Sequence, residues 1–108
     1  MCTYCVAESS PRTVRRALSF EEIQQLLDEA EPLGFERLFF TGGEPFILDD
    51  IYEKLALASN RFPTTVLTNA MLFRGKRLHK LRGIANDNLS IQVSLDGAQP
   101  ELHDAYRG

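Results

Sequence analysis

The chain has 108 residues, 44% hydrophobic and 9% aromatic, with 12 basic and 15 acidic residues and a formal net charge of -3. That bounds it to one domain at most, gives no support for a general nucleic-acid binder, and leaves no apolar run near the roughly 20 residues that span a bilayer. The opening residues MCTYCVAESS lack the basic flank and apolar core of a secretory signal, so a reducing, cytoplasmic location is expected.

Residues 2–11 read as a loop, small and polar and without periodicity. Ser19, with Glu22 three residues on, forms a capping box, in which the serine oxygen accepts a backbone N–H and the glutamate reaches back. Phe20, Ile23, Leu26, Leu27, Ala30 and Leu33 recur at helical spacing, and Gly34 stops the helix. A strand is predicted over residues 36–41, then a turn at Gly42 and Gly43. A second helix is predicted over residues 49–60, with Leu48, Ile51, Leu55 and Ala58 on its inner face and Asp49 and Asp50 at its positive end.

Residues 64–67, β-branched and apolar, read as a second strand that ends in Thr68 and Asn69. A weaker helix is predicted over residues 72–82, with Leu72, Leu78 and Leu81 apolar. Gly75 inside it would cost about 1 kcal/mol against alanine. Its charges, Arg74, Lys76, Arg77, Lys80 and Arg82, suit a solvated outer face. A third strand over residues 89–95 alternates apolar and polar and breaks at Asp96 and Gly97, and residues 100–107 look like a helix start.

Strands alternating with helices predict an α/β fold with a parallel sheet and right-handed crossovers. Three strands cannot close a barrel of about eight, and both sheet edges would stay unpaired. The expectation is a partial (β/α) barrel lacking its first strand, part of a larger domain. Such an open sheet is expected to be marginal or aggregation-prone by itself.

The carboxyl ends of parallel strands open on one face, where ligands bind. On that face the chain places Cys2 and Cys5, then Gly42, Gly43 and Glu44, then Thr68 and Asn69, then Ser94 and Asp96. In the stretch 39–46, FFTGGEPF, the glycines permit φ > 0 and close approach of a ligand to the backbone. Glu44 offers an acceptor to something cationic, and Pro45 fixes φ beside it. The same residues also suit a tight turn with an exposed glutamate. The Cys-x-x-Cys pair fits half a zinc site, a redox pair or part of an iron–sulfur ligand set. Zinc would need ligands from His79 and His103, one on a basic helix face and one near the end of the chain. A redox pair usually opens a helix, whereas a loop follows Cys5.

CTYC, TGGEP, LTNA and VSLDG, in this order on successive βα units, resemble the radical S-adenosylmethionine (radical SAM) enzymes over essentially the whole chain. The family's cysteine motif is C-x-x-x-C-x-x-C, and Cys2 and Cys5 match its second and third cysteines, placing the first before Met1. The resemblance implies a TIM-barrel-like core with a 4Fe-4S cluster and S-adenosylmethionine as cofactors, and the chain as an N-terminal part of that domain, truncated at both ends. It implies that Cys2 and Cys5 are cluster ligands, with the cofactor's amino and carboxylate groups on the open iron. Glu44 with the glycine turn of Gly42, Gly43 and Pro45 would hold its ammonium, Ser94 and Asp96 its ribose or carboxylate, and Tyr4 would lie by the adenine. Asn69 matches a family asparagine usually followed by glycine, where this chain has Ala70. Electron transfer into the sulfonium would release a 5′-deoxyadenosyl radical that abstracts a substrate hydrogen.

The ending VSLDGAQPELHDAYRG resembles a branch of peptide- and protein-modifying maturases that carry auxiliary clusters in a C-terminal SPASM-type domain; His103, Asp104 and Arg107 fit its HDxxRG pattern. The partners so implied are S-adenosylmethionine, a peptide or protein substrate, and an electron donor such as flavodoxin or ferredoxin, with neither nucleic acid nor membrane. The chain is expected to be inactive alone. Two other readings stay open: a barrel without the cluster acting as a binding module, and a zinc or redox protein, which leaves TGGEP and SLDG unexplained.

Overall fold

The structure is a computed structural model, and it describes residues 17–94 and 99–101. Three strands, β1 (Leu38–Phe40), β2 (Thr64–Thr68) and β3 (Leu89–Val93), form one parallel sheet in the order β1-β2-β3. Helices α1 (Phe20–Ala30), α2 (Ile51–Ser59) and α3 (Lys76–Gly83) alternate with them, as expected for part of a (β/α) barrel. Among the described residues no helix is long and apolar enough to cross a membrane.

The capping box at the start of α1 is formed: Glu22 N–H donates to Ser19 Oγ at 3.1 Å, and Ser19 N–H to Glu22 Oε2 at 3.3 Å. Gly34, at φ 80°, turns the chain after the helix. Ile23 and Leu27 bury against Ala58 and Phe62. Leu26 and Leu33, which recur at the same helical spacing, are 50% and 74% exposed. The apolar stripe of α1 is wider than the face α2 covers. Arg61, just past α2, closes that contact by donating to Asp28 and Glu31 at 2.6 Å each. Hydrogen bonds to Glu31 and then Asp28 raise its pKa and hold it charged.

Ile51, Leu55 and Ala58 of α2 are buried as their spacing predicts, and Leu48 is half-buried. Tyr52, Lys54 and Ser59 are buried too, so α2 is covered on more than one side. Lys54 meets Asp50 at 2.8 Å, one turn back. Phe46, Ile51, Tyr52, Leu55, Val66 and Leu81 form the main core.

One expectation needs correction, and two features go beyond the sequence pattern. The helix predicted over residues 72–82 begins only at Lys76, with Gly75 as its N-terminal cap at φ 57°. Gly75 is therefore no burden inside the helix; it supplies a backbone conformation that a side chain would resist. The long β3 alternation does not become burial: Leu89 packs on the core, while Ile91 and Val93 are 38% and 50% exposed. They share the Val66 face of the sheet, but α3 enters the core only through Leu81. Finally, the glycine turn and α2 are not joined by plain loop. A one-turn 3₁₀ helix, Pro45–Ile47, comes between. Of the last predicted helix, Pro100 and Glu101 are helical and the rest lies outside the described residues.

Candidate functional site

The register sets the site. Phe40 at the end of β1 stands opposite Val66, whereas β2 continues to Thr68, opposite Val93. The β1 chain thus leaves the sheet two residues early, a step of roughly 7 Å. The glycine turn and the 3₁₀ helix occupy that step and carry Glu44 back to the end of β2. Gly42 makes the bend at φ 140°, and the position a Cβ would take has no heavy atom within 4 Å. Gly43 is exposed beside it.

Glu44 caps the 3₁₀ helix, and Pro45, buried, is its first residue. Phe46 anchors the turn: it is 1% exposed, with its ring 4.6 Å from that of Phe73 and 5.7 Å from that of Tyr52, centroid to centroid. The Glu44 carboxylate is half-buried and held from two loops. Its Oε1 accepts from Phe46 N–H at 3.2 Å and from the Thr68 hydroxyl at 2.6 Å, and its Oε2 accepts from Asn69 N–H at 2.8 Å. A carboxylate offers about four lone-pair sites. Three are filled, and the fourth lies on Oε2. Among the described residues no lysine, arginine or histidine pairs with Glu44. The arrangement can take one further N–H donor from a cation, next to open backbone at Gly42.

Asn69 uses its side-chain oxygen within the turn, accepting from Met71 N–H at 2.9 Å, and its backbone N–H on Glu44. Ala70, where the resemblance leads one to expect glycine, has φ 61°. Ser94 is half-buried at the end of β3, and its N–H donates to the Thr68 carbonyl at 3.1 Å. Glu44, Asn69 and Ser94 are therefore brought to one end of the sheet. Thr68, 4% exposed, is the group between them, and its holding role was missed because only the parallel register reveals it. Cys2, Tyr4, Cys5, Asp96, His103, Asp104 and Arg107 lie outside the described residues. Among those described, no group of three or more His, Cys, Asp or Glu could hold a metal ion.

The radical SAM superfamily model matches residues 1–108. The chain is 33% identical to an AdoMet-dependent heme synthase of Oleidesulfovibrio alaskensis, over 99% of this chain and 27% of that protein. It is 32% identical to the mycofactocin maturase MftC of Mycolicibacterium smegmatis, over 99% and 27%. It is also 32% identical to the antilisterial bacteriocin subtilosin biosynthesis protein AlbA of Bacillus subtilis, over 99% and 24%. The chain spans only about a quarter of the length of these relatives. Parallel strands, a glycine turn with its glutamate at their carboxyl end, and a match along the whole chain agree: it belongs to the radical SAM superfamily, whose members use a 4Fe-4S cluster and S-adenosylmethionine.

Proposed function

We propose that the chain is the N-terminal part of the core domain of a radical SAM enzyme that binds a 4Fe-4S cluster and S-adenosylmethionine and acts on a peptide or protein. The observation that carries the cofactor reading is Glu44, fixed by three donors with one acceptor site left and, among the described residues, no cation paired to it. That is what the ammonium of S-adenosylmethionine needs. Cys2 and Cys5 would supply thiolates to the cluster. When bound, cluster and cofactor together supply a 5′-deoxyadenosyl radical for hydrogen abstraction. The chain's own residues orient and bind: Glu44 the ammonium, Gly42 and Gly43 by leaving their backbone open, Ser94 and Asp96 the ribose or carboxylate, Tyr4 the adenine, with Pro45 and Asn69 shaping the two turns.

The peptide or protein substrate is supported by the likeness to MftC, named a mycofactocin maturase, and to AlbA, named an antilisterial bacteriocin subtilosin biosynthesis protein. A low-potential donor such as flavodoxin or ferredoxin would reduce the cluster, in a cytoplasmic setting that keeps Cys2 and Cys5 as thiols. The full-length protein, reconstituted anaerobically with iron and sulfide, is expected to show visible thiolate-to-iron absorbance that Cys5→Ala removes. A folded protein without that absorbance would leave the barrel as a binding module.

A further inference from the structure

We propose that Thr68 is a positioning residue for Glu44, fixing its carboxylate so that Oε2 alone presents an acceptor to the ammonium of the cofactor. This rests on the cofactor reading above. Thr68 is the last residue of β2, 4% exposed, and it ties together the ends of all three strands. Its hydroxyl donates to Glu44 Oε1 at 2.6 Å, across from the β1 loop. The same oxygen accepts from Ala70 N–H at 3.0 Å, holding the turn after β2. Its carbonyl accepts from Ser94 N–H at 3.1 Å, at the end of β3.

A buried position on a central parallel strand is ordinarily suited by valine, which has the shape of threonine without the hydroxyl. A hydroxyl there is costly unless bonded, and this one is bonded both as donor and as acceptor. Its effect on Glu44 is selective. With the Thr68 hydroxyl and Phe46 N–H on Oε1, that oxygen is filled; Oε2, with Asn69 N–H alone, is not. Without the hydroxyl the carboxylate loses its shortest bond and gains rotational freedom, and an incoming ammonium must then order it.

The test is equilibrium binding to the cluster-reconstituted full-length protein of two ligands: S-adenosylmethionine, and its analogue with hydrogen in place of the α-amino group. Thr68→Val is expected to raise the Kd for S-adenosylmethionine about tenfold and to leave the Kd for the analogue within about twofold, and Thr68→Ser is expected to restore the wild-type value. Equal weakening of both ligands would make Thr68 merely structural and overturn the proposal, as would an unchanged Kd for S-adenosylmethionine. Thr68→Ala gives the same comparison where the valine variant does not fold. Wild-type protein that holds the cluster but binds no S-adenosylmethionine overturns the cofactor reading itself, a failure seen before any variant is made.

Discussion

The Thr68 hydroxyl lies 2.6 Å from Glu44 Oε1, a bond between residues 24 apart that pins the loop after β1 to the end of β2. Around it, Phe46 N–H and Asn69 N–H complete a three-donor cradle for one carboxylate. Charge-assisted bonds of this kind are the stronger class. On the proposed reading the cradle serves the fold as well as the cofactor, and the two roles can be separated.

Glu44→Ala should destabilise the protein by about 1–3 kcal/mol, because it strands the buried Thr68 hydroxyl and the Asn69 N–H without their acceptor. Urea unfolding at neutral pH measures it. A change below about 0.5 kcal/mol would mean that the carboxylate contributes nothing to the fold.

Ala70 holds φ 61°, a conformation that costs a residue with a Cβ roughly 1–2 kcal/mol. Ala70→Gly should relieve it and, after the larger entropy of the unfolded glycine chain, gain about 0.5–1 kcal/mol. Ala70→Val should lose stability instead, since β-branching makes the left-handed region worse. Melting temperatures of the three proteins give the order Gly, Ala, Val. The reverse order would contradict the backbone conformation itself.

Phe46→Ala removes a 1% exposed ring from between Phe73 and Tyr52 and should cost about 3–5 kcal/mol. It should also loosen the 3₁₀ turn that carries Glu44. A larger rise in amide exchange over wild type at residues 44, 46 and 47 than in α1 would report that loosening, and an equal rise in both would contradict it.

Tyr52 is 5% exposed, and its hydroxyl has no hydrogen-bond partner among the described residues. Burial raises its pKa above 10.0, with the Arg77 charge opposing. Between pH 10 and that higher folded value, the unfolded chain has lost the phenolic proton while the folded protein keeps it. The stability linked to this proton is thus fully present below pH 10 and falls as pH rises above it. Tyr52→Phe should be neutral or stabilising by about 1 kcal/mol at pH 7 and should flatten that alkaline decline. A variant less stable at pH 7, with the decline unchanged, would show that the hydroxyl is not the cause.

The sequence made α1, α2 and the three strands legible, because capping residues, apolar spacing and β-branched runs act locally. Ser19 with Glu22, or Ile51 with Leu55 and Ala58, can be read without knowing the fold. The 3₁₀ helix was not read, since three residues show no periodicity, although an acidic cap followed by Pro45 was its available sign. Gly75 was misplaced because a glycine costs a helix interior what it contributes to a helix start. The exposure of Ile91 and Val93 depends on how far α3 reaches across the sheet, which β3's own pattern cannot encode. The meeting of Glu44, Asn69 and Ser94 at one end followed from topology, but Thr68's part in it required the register between strands.

If this chain helps to build a radical SAM centre, the full-length protein must bind the cluster and cleave the cofactor. The full-length protein would be reconstituted anaerobically, its iron counted, and 5′-deoxyadenosine assayed by chromatography after dithionite and S-adenosylmethionine are added. About four irons bound through the motif of Cys2 and Cys5, with deoxyadenosine formed and then lost in Cys5→Ala, is the predicted result. A soluble, folded protein that binds no iron and forms no deoxyadenosine would contradict it.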